Sequence, residues 1–122
     1  MDRDGVRILP WRTNEELADR VRDVLPDPAV IREQKMFGGL AFMRSGHMFA
    51  GILGAELMLR LGESGAGEAL ARPHVREMTF TGKPMKTMVL VHQDGLVGPA
   101  LAEWVGEGLA FAESLPPKPS AR

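Results

Sequence analysis

Cysteine and tyrosine are both absent from this 122-residue chain. Without cysteine there is no disulfide scaffold, no thiolate zinc site and no cysteine nucleophile, a composition that suits the reducing cytoplasm, which is the expected location. Without tyrosine the stock of general acids narrows. Charge of one sign is lacking as well: 15 lysines and arginines stand against 16 aspartates and glutamates, for a net charge of −1. That balance supplies no global attraction to polyanions, so neither direct nucleic-acid binding nor adhesion to anionic lipid is expected. The uncharged stretches fall far short of the ~18 apolar residues that span a bilayer, and no basic segment followed by an apolar run opens the chain. Neither an integral membrane protein nor a signal peptide is therefore expected.

What is present suits one domain. A chain of this length has room for a single core, and folding removes roughly two thirds of its unfolded surface from water, enough to offset chain entropy without cross-links. Thr13-Asn14-Glu15-Glu16 has the form of a capping box, and Leu17, Val21, Val24 and Leu25 lie on one stripe behind it. The spacing predicts an amphipathic helix over residues 14–25, closed by Pro26 and Pro28. The periodicity then shortens. Strands are predicted at 30–36, 39–44, 48–53 and 56–61, with Ser45-Gly46-His47 and Gly54-Ala55 as turns. In the last of these strands Leu57, Leu59 and Leu61 share one face, expected in the core, and Glu56, Met58 and Arg60 share the other, expected half-wet.

Residues 62–67 are glycine-rich and predict a loop, leading into a short helix over 68–72 that Pro73 stops. Strands at 75–80 and 87–91 flank Thr81-Gly82-Lys83-Pro84, a strong turn signal, and form a predicted hairpin. A final helix runs from Pro99 to about residue 115, with Leu101, Trp104, Val105, Gly108, Phe111, Ala112 and Leu115 on a wide apolar face. Gly106 and Gly108 each weaken it by ~1 kcal/mol relative to alanine, so packing must hold it. Turns this short force antiparallel pairing. The expected fold is α+β and two-layered, an antiparallel sheet with helices mainly on one face. Residues 1–12 form an N-terminal arm, 13–115 the domain, and 116–122 a disordered proline-rich tail.

A search for chemistry finds no catalytic residues, no metal ligands and no cofactor motif. His47, His74 and His92 lack HxH or HExxH spacing, and each falls at a predicted turn or strand end, where a solvated side chain is the reading. The 62–67 segment fails both GxSxG and GxGxxG, because Ala66 and Leu70 stand where glycine is required. Pro84 likewise replaces the magnesium-binding hydroxyl of a Walker motif. The surface carboxylate pairs Glu15 with Glu16 and Glu103 with Glu107 are assigned to solvated helix faces, and most of the eight methionines to core filling. No enzyme is expected.

Two features stand above this background. Between residues 72 and 92, Arg72, Arg76, Lys83 and Lys86 face Glu77 alone, so the hairpin is locally basic. Such charges serve either to attract a partner or to keep an exposed strand edge from pairing. Phe37-Gly38-Gly39 implies a bulge or tight bend with a close-approaching backbone, either a neighbouring strand or a ligand. The candidate surface is therefore Phe37, Gly38, Gly39, Arg76, Lys83 and Lys86. Its first reading is a protein-binding surface on a non-enzymatic regulatory or adaptor module. Its second is a site for a small anionic ligand, held at the bend with Lys83 or Lys86 as counter-charge.

Met36-Phe37-Gly38-Gly39-Leu40-Ala41-Phe42, Gly46-His47-Met48, Leu57-Met58-Leu59-Arg60-Leu61-Gly62, Ala71-Arg72-Pro73-His74, Phe80-Thr81-Gly82-Lys83-Pro84-Met85 and Leu115-Pro116-Pro117-Lys118 resemble, in order and spacing, the TfoX/Sxy N-terminal domain family. The match runs from about residue 16 to residue 118, and a stand-alone domain of that family is the expectation. The resemblance implies a YgaC/TfoX-N-like fold, α-β(3)-α-β(2)-α, with about five antiparallel strands. It also implies kinship with regulators of natural competence that act with the cyclic-AMP receptor protein, hence an unidentified protein partner drawn from the transcription machinery. It carries over no catalytic residue or cofactor, and it leaves room for a homodimer.

Overall fold

The computed structural model describes residues 15–36, 39–80 and 82–116. Helix α1 (Glu15–Val24) leads through a 3-10 turn (Pro28–Val30) into strands β1 (Ile31–Met36), β2 (Gly39–Arg44), β3 (His47–Leu53) and β4 (Glu56–Arg60). Helix α2 (Gly62–Ala69), strands β5 (Val75–Phe80) and β6 (Lys83–His92), a second 3-10 turn (Gln93–Gly95) and helix α3 (Ala100–Glu113) follow. The six strands form one antiparallel sheet in the order β1-β2-β3-β4-β6-β5. This is the α+β, two-layer architecture expected from the short turns, with one strand beyond the five that the family resemblance implies. Among the described residues no helix is long and apolar enough to cross a membrane. The N-terminal arm, the capping residue Thr13 and the tail beyond Pro116 lie outside the described residues.

Alternation places the main core on one face of the sheet. Phe42, Ala50, Ile52, Leu57, Leu59, Val89 and Val91 meet Leu17, Ala18 and Val21 of α1, Ala66 and Ala69 of α2, and Leu101, Trp104, Val105, Leu109 and Ala112 of α3. Leu57, Leu59 and Leu61 all point into this cluster, as the strand pattern predicts. On the opposite face Glu56 and Arg60 are half-buried, as the pattern predicts, and Met58 alone departs from it. Met58, expected on a half-wet face, is only 2% exposed and forms a second apolar cluster with Met78, Met88 and Leu90. The unbranched thioether chains fill the gaps between strands, so the core-filling role of the methionines holds for these three.

An irregularity between β2 and β3 shapes the middle of the core. Phe42 pairs with Ala50 and Met43 with Met48, so Phe49 is an extra residue in β3. The bulge turns both Phe49 and Ala50 toward the helices. At this point α3 comes close: a Cβ on Gly108 would lie 2.7 Å from the Phe49 carbonyl oxygen. Gly108, unfavourable for the helix by itself, is what lets α3 seat on the sheet. Gly106 has open space around its Cα and no such role within the chain.

The segment predicted as a loop is α2. Gly62, at φ +78°, turns the chain directly from β4 into the helix, a conformation that glycine adopts without a Cβ penalty. The glycine-rich sequence is a poor helix former, so what holds α2 is burial of Ala66 and Ala69 against Val89 and Val91 rather than propensity. The predicted short helix at 68–72 is thus shifted toward the N-terminus, and residues 70–74 are turn.

Helix α1 is tied to the β1 edge by a two-pronged ion pair. Arg22 Nε donates to Glu33 Oε2 at 2.7 Å and Arg22 Nη2 to Glu33 Oε1 at 2.8 Å. Hydrogen bonding to the guanidinium holds the Glu33 carboxyl below the usual glutamate range. The sign of the pH effect follows. A depressed carboxyl pKa contributes stability that is complete above the ordinary value of about 4.3 and is lost as the pH falls through the folded-state value. Both side chains are 36% exposed, so screening limits the pair to about 0.2–1 kcal/mol. Glu33→Gln is expected to lower stability by that amount at pH 7 and to leave it unchanged at pH 2, measured in urea melts.

Candidate functional site

Of the six residues singled out in the sequence, the four that are described do not form one site. Phe37 and Gly38 lie outside the described residues. Gly39 opens β2, buried, in register with Met36 of β1. A Cβ there would stand 2.0 Å from the Ile52 carbonyl oxygen of β3, so the closely approaching backbone is a neighbouring strand. Gly39 is level with Glu56 and His92 at one end of the sheet, whereas Lys83 begins β6 at the other end. With three strand spacings and nine residues of β6 between them, Gly39 and Lys83 are roughly 30 Å apart. Lys86 is six residues from His92 and about 25 Å from Gly39 by the same geometry. Neither lysine supplies a counter-charge at the bend.

The basic character of the hairpin divides in two. Arg76 on β5 is engaged by Glu56 of β4, with Nη2 donating to Oε1 at 2.6 Å and Nε to Oε2 at 2.9 Å, across the intervening β6. Arg72 holds α3: its guanidinium lies 3.7 Å from the centroid of the Trp104 ring and its Nη1 donates to Glu107 at 3.1 Å. These two arginines are structural ties. Lys83 and Lys86 are exposed and have no ion-pair partner among the described residues. They stand on β6, which is an inner strand only where residues 88–92 pair with β4; residues 83–87 run past β4 and have no strand partner on that side among the described residues. The sheet edge at β1 shows the usual protection, with Arg32, Glu33 and Lys35 exposed along it.

Beside the lysines the strand pairing breaks. Val89 pairs with Glu77 and Pro84 with Thr79, so four residues of β6 stand opposite Met78 alone. The predicted hairpin is real, but β6 begins at Lys83, and after Lys83 and Pro84 pair with Phe80 and Thr79, residues 85–88 leave the β5 ladder. Where they swing out, a groove of about 230 Å³ opens against α2. Glu63, Ala66, Gly67 and Leu70 form one wall, and Pro84, Met85, Lys86 and Met88, with Glu77 of β5, the other. Positions 63, 66, 67 and 70 recur at helical spacing, so a single face of α2 lines it. Leu70 is 39% exposed at the C-terminal end of that face. None of Glu63, Gly67, Leu70 and Glu77 was singled out from the sequence for this site, because the groove depends on a register shift between strands and not on a local motif.

The family model of the TfoX N-terminal domain matches residues 23–112, which takes in the whole sheet, α2 and most of α3. The chain belongs to the TfoX N-terminal domain family. No functionally curated protein and no solved structure matches it. In this TfoX N-terminal domain Gly39 of the signature opens β2 and the Gly-Lys-Pro part lies at the start of β6, at opposite ends of the sheet.

The histidines of the domain are likewise separate. His74 and His92 are exposed, and His92 Nδ1 accepts from the Asp94 backbone N–H at 3.1 Å. His47 departs from expectation: it is 8% exposed, not solvated. Its Nε2 lies 2.7 Å from the Pro116 carbonyl, which can only accept, so Nε2 carries the proton and ties the chain after α3 to the start of β3. Nδ1 has no partner among the described residues.

Proposed function

We propose that this TfoX N-terminal domain is a non-enzymatic regulatory or adaptor module that binds another protein at the α2–β6 face, with Lys83 and Lys86 attracting the partner. The observation that carries the reading is the placement of the two lysines. They are free of ion pairs among the described residues, and Lys86 lines a groove with an exposed leucine at its end. Residues 83–87 run past the end of β4, so protection of an open strand is the competing account, which the charge reversal below separates from binding. Family membership supports a regulatory role, with competence or transcription as the process and a protein of the transcription machinery as the class of partner proposed first. The proposed place of action is the cytoplasm. The charged groups at the groove, Glu63, Glu77 and Lys86, are all exposed, an arrangement suited to rim contacts rather than to acid–base work.

The reading is tested by Lys83→Glu/Lys86→Glu. Both positions are exposed, so stability should change by no more than ~0.5 kcal/mol. Partner association should slow, and its dependence on salt should weaken, when capture from the native cytosol is run at two salt concentrations. Full recovery of every partner at low salt would show that the lysines do not take part in binding. The second reading, an anionic ligand at the glycine bend, is not favoured, because Ile52 occupies the space beside Gly39 and the lysines are far from it.

A further inference from the structure

We propose that the α2–β6 groove receives one apolar anchor side chain of the partner, flanked in the partner by a basic residue that pairs with Glu63 and Glu77. This rests on the protein-binding reading above and names the chemistry of what is bound.

Size argues first. A volume of about 230 Å³ is below the ~300–1,000 Å³ typical of small-molecule and cofactor sites, yet ample for a single apolar side chain. The lining suits such an anchor. Ala66, Met85 and Met88 offer an apolar floor that is continuous with the methionine cluster on the far face of the sheet, and methionine adapts its shape to what it meets.

Charge gives the flank. The carboxylates of Glu63 and Glu77 stand on opposite walls and have no ion-pair partner among the described residues. A cation between them would face both, and Lys86 with Lys83 would face an acid elsewhere on the partner, so the alternation of sign fixes orientation.

Gly67 is the third observation. It lies inside α2, exposed, on the groove wall, and a Cβ there would meet nothing within 4 Å. Glycine within a helix is less favourable than alanine, and here no contact within the chain calls for it. What a side chain at position 67 would fill is the groove. Gly106 on α3 is the matched control, exposed and with nothing within 4 Å of its Cβ position, and it is not part of the groove lining.

The test uses the full chain and random 12-residue peptides displayed on phage, followed by synthesis of an enriched peptide and fluorescence polarisation. Enriched peptides should share an apolar residue within one helical turn of lysine or arginine. Gly67→Leu should weaken binding of the synthetic peptide by ~10-fold or more, the scale of discrimination that extra methylenes impose in an apolar pocket. Gly106→Leu should bind as the parent does, and both variants should melt at or above the parent temperature, which shows that the loss is not unfolding. Glu63→Lys/Glu77→Lys should weaken the peptide as well. Enrichment of acidic peptides, no enrichment at all, or equal affinity for Gly67→Leu and Gly106→Leu would overturn the proposal. If any of these occurred while the lysine reversal still abolished partner capture, the protein-binding reading would stand and only the groove assignment would fall.

Discussion

Leu59→Ala is expected to destabilise the domain by about 2–5 kcal/mol, the cost of the lost transfer energy together with the cavity left behind. The side chain is fully buried, and its Cδ2 would lie 3.2 Å from a Cβ on Gly108, so it fills the space directly beneath the closest approach of α3 to the sheet. Collapse around the missing atoms is opposed from both sides. The bulge at Phe49 holds β3 against α3, and Leu59 pairs through the backbone with both Ala50 and Val89. A loss in the upper half of the range follows. For a domain of this size each kcal/mol corresponds to roughly 4 °C in melting temperature, so the change is readable by heat as well as by urea. A loss under about 1 kcal/mol would mean that Leu59 does not face the helices.

The second large effect is expected from adding a single carbon. Gly39→Ala places a Cβ 2.0 Å from the Ile52 carbonyl oxygen and 2.9 Å from Leu53 Cδ2. The leucine can rotate away. The carbonyl cannot, because Ile52 belongs to an inner strand and is paired with Leu40 of β2 on one side and Leu57 of β4 on the other. Strands β2 and β3 must separate locally or change register, and the cost should reach or exceed about 3 kcal/mol, the upper end of ordinary overpacking. Equilibrium urea unfolding checks this directly. Gly39→Ala should also expose the amides of β2 to hydrogen exchange before those of β4, since the damage begins at one pair of strands. Stability within 1 kcal/mol of the parent would show that β2 and β3 are not in close contact at this position.

Gly39 illustrates why part of the candidate site was legible and part was not. Two successive glycines ahead of alternating apolar residues announce a close approach, but what approaches is decided by a strand whose nearest residue, Ile52, stands well along the chain. The arginines and lysines of the hairpin are alike in a sequence. They diverge only when Glu56 and Trp104 are brought beside Arg76 and Arg72 from other elements, leaving Lys83 and Lys86 without an ion-pair partner among the described residues. His47, placed at a turn by its Ser45-Gly46 neighbours, is buried because the chain returning after α3 lays the Pro116 carbonyl over it. The groove itself has no sequence signal, since four residues of β6 leave the β5 ladder without a glycine among them.

The sequence by itself determined the element order, the antiparallel sheet, the helix-covered face and the family, because each depends on short-range patterns. Alternation in 56–61 sets which leucines are buried, the proline and glycine positions set the turns, and turns of two or three residues permit only antiparallel neighbours. Tertiary structure alone decided that 62–69 is helical, that Met58 on the far face of the sheet is buried among other methionines, and which charges are spoken for. The physical reason is the same in all three. Packing of Ala66 and Ala69 outweighs poor helix propensity, methionines bury one another across strands, and an ion pair needs both partners at one place in space, whatever their distance along the chain.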